Sequence, residues 1–111
     1  MMEIEKSVSN WIVKPTQESV TETFEYIKNN YSEFQKNHII IDFSKKININ
    51  IKELMLFLNL SVNHKRNGMS FVLVSEGIDI DKISDAINIV PTLDEALDIL
   101  QMDAIERDLG F

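Results

Sequence analysis

The chain reads as an α/β domain in which a mixed sheet of four to five strands carries helices mainly on one face. Three observations predict this. Apolar runs of strand length, at Ile39-Ile40-Ile41 and Phe71-Val72-Leu73-Val74, alternate with segments of helical spacing, and such alternation builds a sheet with crossover helices. The two runs are apolar at consecutive positions, as expected of strands covered on both faces. With 111 residues, 44% hydrophobic content, three Gly and two Pro, the chain suits one compact domain, 1–111, built on one core. No internal repeat, low-complexity segment or linker interrupts it.

Each element follows from its local pattern. Met2, Ile4 and Val8 alternate with polar residues, and after Ser9-Asn10 comes Trp11-Ile12-Val13. A hairpin fits both runs, with Lys6 interrupting the alternation. Trp11 can be an exposed anchor or can pack on the sheet. Pro15 ends the second strand, and Thr16 is placed to cap a helix with Glu18 in its first turn. Val20, Phe24, Ile27, Tyr31 and Phe34 then recur at helical spacing and form one face for a sheet. The strand Ile39 to Phe43 follows.

Asn50 can cap the next helix while Glu53 reaches back to the Asn50 amide, a variant of the capping box. Leu54, Met55, Leu56, Phe57, Leu58, Leu60 and Val62 crowd this helix nearly all round, and Gly68 stops it after the polar stretch Asn63 to Asn67. It carries more apolar surface than one sheet contact covers. Ser70 to Val74 is a buried strand, Asp79 to Asp85 a short irregular or helical stretch, and Asn88 to Val90 a last small strand. Pro91 breaks that strand, and Thr92-Leu93-Asp94-Glu95 forms a capping box for the final helix. Leu93, Ala96, Leu97, Leu100, Ala104 and Ile105 make its buried stripe, with Gly110 at its end.

Composition narrows the function. The chain has no cysteine, which removes disulfides, thiolate nucleophiles and thiolate metal sites. The first residues lack the n- and h-regions of a signal peptide, and no apolar run nears the roughly 20 residues that span a bilayer. A cytoplasmic protein is the expectation. A net charge of −7 repels phosphate backbones and anionic headgroups, so neither nucleic acid nor membrane is an expected partner. Lys45-Lys46 and Lys65-Arg66 are the adjacent basic pairs.

Catalysis is not expected, and no cofactor or metal is called for. The two histidines, His38 and His64, lie far apart in sequence, and each is expected to flank an element at the surface. Asp79-Ile80-Asp81 starts like a calcium loop, but Ser84 stands where that loop needs Gly and Val90 where it needs Glu. No Gly-x-Ser-x-Gly or Walker sequence occurs. The stretch Met102 to Phe111 resembles the ends of short chains that carry the ribonuclease Z name. Zinc hydrolases of that type need a clustered His-x-His-x-Asp-His motif, which is missing. An accessory role in RNA processing is the alternative this leaves. Asp94, Glu95, Asp98, Asp103, Glu106 and Asp108 give the final helix an acidic surface, read as a solubility feature before a site for a basic partner.

The order of several short motifs resembles the STAS domain, the anti-sigma factor antagonist fold. There, a strand ends in an Asp-Leu-Ser-like triplet, an Asp-Ser pair opens the next helix, and Pro-Thr/Ser-x-x-x-Ala-Leu starts the last one. Here Asp42-Phe43-Ser44, Asn50-Ile51 and Pro91-Thr92-Leu93-Asp94-Glu95-Ala96-Leu97 stand at those places. The resemblance implies a non-catalytic protein-interaction or regulatory module whose partner is another protein or a second copy. Ile51 departs from the pattern. A serine hydroxyl in that first turn lets a phosphate meet free backbone amides at the positive end of the dipole, and isoleucine has none. Ser44 and Ser61, the nearest hydroxyls, read as a turn residue and a helix residue bonded to local backbone. The expected partner surface is Lys45, Lys46, Asn48, Asn50, Ile51, Lys52, Met55 and Leu56, where surplus apolar surface meets a partner. A small-ligand pocket beside the same helix is a further alternative.

Overall fold

The computed structural model describes residues 2–44, 49–78 and 87–110. In chain order they form β1 (Glu3–Lys6), β2 (Asn10–Lys14), α1 (Val20–Asn29), α2 (Tyr31–Phe34), β3 (His38–Asp42), α3 (Ile51–Met55), α4 (Leu58–Arg66), β4 (Phe71–Val74), β5 (Asn88–Val90) and α5 (Leu93–Asp108). The strands lie in one sheet in the order β1-β2-β3-β4-β5. β1 pairs antiparallel with β2, and every later pair is parallel.

Strand alternation divides the core in two. Ile39, Ile41, Phe71 and Leu73 point to one face, where they meet Val20, Ile27, Phe34, Leu54 and Phe57 from the helical layer α1 to α4. Ile40, Val72 and Val74 point to the other, under Ala96 and Leu100 of α5. Both central strands are therefore covered on both sides, which is why they read as unbroken apolar runs.

Five local expectations are corrected. Ser19, not Thr16, caps the first helix: its hydroxyl accepts from Glu22 N–H at 3.0 Å while the Glu22 carboxylate accepts from Ser19 N–H at 3.2 Å. The Glu18 carboxylate instead accepts from the Thr16 amide. This helix also ends early, because the Asn30 side chain donates to the Tyr26 carbonyl at 2.8 Å and the backbone there leaves helical geometry. Such side-chain competition with the ladder is characteristic of Asn. The face survives the break, since Phe34 is fully buried.

The helix expected from Ile51 onward is likewise two. Leu56 N–H bonds to the Glu53 carbonyl and Phe57 N–H to the Leu54 carbonyl, three-residue closures that tighten the turn. That turn seats Phe57 in the core, edge-on to Phe24 at 5.5 Å and tilted against Phe43 and Phe71. In the hairpin, Val8 belongs to the turn and is fully exposed. Trp11 packs edge-on to Phe34 at 5.3 Å, and Lys6, which broke the alternation, sits over its outer ring face at 4.4 Å. Finally, the buried stripe of α5 stops at Leu100. Ala104 borders an open groove, and Ile105 is 58% exposed because it lies on the face of α5 turned away from Leu100 and the sheet. The stretch Asp79 to Asp85 lies outside the described residues.

Candidate functional site

The candidate partner surface lies beyond the C-terminal end of β3, the end at which open α/β sheets present their loops to ligands. Phe43 is held in the core and bonds through its N–H to the Val74 carbonyl. The Asp42 carboxylate accepts from Ser44 N–H at 2.9 Å and turns the chain out of the strand. Ser44 is exposed in that turn. Lys45, Lys46 and Asn48 lie outside the described residues. The chain re-enters the core at Ile49, which packs against the helical-side cluster.

Asn50 has extended backbone and closes both halves of the expected capping box. Glu53 N–H donates to its Oδ1 at 2.8 Å, and its own N–H donates to the Glu53 carboxylate at 3.1 Å. The neutral amide therefore does for α3 what an aspartate does as a cap. Ile51 occupies the first helical position with its side chain packed on the core. Met55 is also partly buried there, whereas Asn50 and Lys52 are exposed and Leu56 is 39% exposed. Most of the all-round apolar character of this segment is used inside: Leu54 and Phe57 are fully buried, and Ile51, Met55, Leu58 and Leu60 lean on the same cluster. Leu56 carries the exposed apolar surface, one helical turn on from Lys52. Ser61, the other nearby hydroxyl, is fully buried in α4.

Sequence reasoning misplaced His64. It is fully buried, with Nε2 at 2.7 Å from the Asn37 carbonyl and Nδ1 at 2.6 Å from the Tyr31 hydroxyl. A carbonyl only accepts, so Nε2 carries the proton and Nδ1 accepts from Tyr31. Burial pushes its pKa below the ordinary value; the Asn37 bond opposes that shift and nearby His38 adds to it. The signal was present in the spacing: Phe57, Ser61 and His64 share one helical face.

His38 is half-buried at the start of β3 and joins β4 to α5. Its Nδ1 accepts from Ser70 N–H at 2.8 Å, and the buried Ser70 hydroxyl donates to Asp103 at 2.6 Å. Arg107 Nη2 stands 3.4 Å from His38 Nε2, which places two donors together when the neutral ring is protonated there. Burial first, then the Arg107 charge, lowers the His38 pKa, against a smaller upward pull from Asp103. This network ties elements together at the sheet end opposite α3. The open grooves beside it, lined by Lys65, Met69, Asn88 and Glu106 or by Ser9, His38, Leu97 and Gln101, are also away from α3.

Among the described residues, no three His, Cys, Asp or Glu side chains converge as metal ligands. No helix among them is long and apolar enough to cross a membrane.

No family model matches the chain, and no curated protein matches it. Solved structures do. A serine-to-glutamate variant of RsbS from Moorella thermoacetica superposes with a TM-score of 0.63 at 20% identity, covering 93% of this chain and 97% of that one. The Thermotoga maritima protein TM1081, described as a putative anti-sigma factor antagonist, gives 0.62 at 17% identity over 90% of this chain and 94% of its own. A chain from the stressosome, described as a signal integration and transduction hub, gives 0.57 at 20% identity, covering 92% and 98%. At these identities the likeness is one of fold, and the fold is that of the STAS domain.

Proposed function

We propose that the chain is a non-catalytic regulatory module that works by binding another protein, in the manner of an anti-sigma factor antagonist, without a serine phospho-switch on α3. The observation that carries this reading is the match of the fold to RsbS and TM1081 over 93% and 90% of this chain. Fold alone does not assign function, so the surface matters. The proposed binding face is Asn50, Ile51, Lys52, Met55 and Leu56, with Lys45, Lys46 and Asn48 preceding it in the sequence.

Ile51 in the first turn supports constitutive binding, because the side chain there packs on the core and has no oxygen to phosphorylate. Association is then governed by partner concentration. The test is capture of a partner from native extract by the purified chain, with and without ATP, followed by phosphopeptide analysis of the recovered protein. Equal capture and an unmodified segment 43–56 are expected. ATP-dependent release coupled to phosphate on that segment contradicts the reading, as does stoichiometric zinc binding accompanied by nuclease turnover.

A further inference from the structure

α5 has apolar residues on two faces. Ala96 and Leu100 are buried against the sheet, while Met102, Ile105 and Leu109 recur at three- and four-residue spacing on the opposite, outward stripe. They are 59%, 58% and 66% exposed. Singly exposed apolar residues are ordinary, but three large ones aligned on one helical stripe form a patch.

Among the described residues, the rim of that patch is acidic. Asp94, Glu95 and Asp98 continue the stripe toward the helix start, and Glu106 and Asp108 flank it, all exposed. Arg107, the one basic residue between Leu93 and Leu109, is directed inward to His38. Lys65 and Arg66 line the groove on the sheet-side flank with Asp103 and do not belong to the outward stripe. A second copy presenting the same face would set these carboxylates against their own kind, on a chain of net charge −7. An apolar row inside an acidic rim complements a helix with an apolar stripe bordered by Lys and Arg.

We infer that the outward face of α5, centred on Met102, Ile105 and Leu109, is a second docking surface that takes a basic amphipathic helix of a partner protein. It lies on the sheet face opposite α3, so it is separate from the binding face proposed there.

The probe is a fluorescent helical peptide with Leu on one face and Lys on the other, read by anisotropy against the full chain. Controls are a scrambled peptide of the same composition and a Leu/Glu counterpart. The Leu/Lys peptide is expected to bind the wild-type chain, more weakly as salt rises. The scrambled peptide is expected to bind about tenfold less well, and Met102→Ser with Ile105→Ser to weaken the amphipathic peptide by about as much, since a few apolar anchors dominate such grooves. The Leu/Glu peptide is expected not to bind. A Leu56→Asp chain is expected to bind undiminished, which separates this face from the α3 surface. Circular dichroism melts verify that the variants fold. Equal binding of the scrambled peptide, undiminished binding by the serine variant or loss in Leu56→Asp overturns the inference. So does self-association in sedimentation that the serine substitutions abolish, which would make the face a contact between copies.

Discussion

His64 shows how a single side chain can be both buried and titratable. Its two ring nitrogens are satisfied by a carbonyl and a phenol, and burial lowers its pKa and so favours the neutral form in the folded protein. Removing the phenol in Tyr31→Phe leaves Nδ1 buried without its donor, and we expect a loss of about 1–3 kcal/mol in urea unfolding. The pH dependence follows from the direction of the shifts. His64 and His38 both have folded pKa values below the ordinary 6.5, so the unfolded chain takes up their protons first as pH falls. Stability from both is complete above about pH 6.5 and is lost as pH drops through the folded values. The urea midpoint should therefore fall between about pH 7.5 and 5.5, and fall less in His64→Gln. An equal fall in that variant would remove His64 from the explanation. In the sequence, a histidine amid polar Asn63, Lys65 and Arg66 looks like surface. Only its register with Phe57 and Ser61 reveals the burial, and the partners Tyr31 and Asn37 come from a distant segment that local pattern cannot supply.

The elements whose boundaries were legible are those closed by local chemistry. Asn50 with Glu53 is a four-residue device, readable without any tertiary contact, and it forms as expected. At Thr92, where the same box is expected, one half forms: the hydroxyl accepts from Glu95 N–H. Ser19 offered the same signature with Glu22, but Pro15-Thr16 upstream drew attention to the wrong hydroxyl. Asn50→Ala and Ser19→Ala should each cost about 1 kcal/mol in chemical denaturation. If either is silent, that helix start is held by packing alone. The splits at Asn30 and at Leu56-Phe57 were less legible, since they arise from a side-chain amide bonding backward and from the demand of the Phe24, Phe43 and Phe71 rings for Phe57. The two ends of the apolar stripe first assigned to α5 can be separated by truncation. Leu100→Ala, beneath the helix, should cost about 2–5 kcal/mol, whereas Ile105→Ala, on the outward face, should stay within about 0.5 kcal/mol. Equal costs would place Ile105 in the core.

At the scale of the whole molecule, the sheet has one helical layer of four short helices and one long helix on the other side among the described residues. The alternation of strand and helix patterns was enough to read this class, because each crossover must return the chain to a parallel neighbour. The extent of partner surface was not. It depends on how much of an all-round apolar segment the core takes in, and the core takes Ile51, Leu54, Met55 and Phe57, wholly or in part. What remains outside is Leu56, 39% exposed, and the proposed binding face centres on it. The most direct measurement is quantitative capture from native extract by the wild-type chain and by a folded Leu56→Asp chain, compared side by side. The wild type should hold a protein in proportion to bait, and the substitution should reduce its capture about tenfold or more. The same proteins recovered in the same amounts by both baits would contradict this binding face.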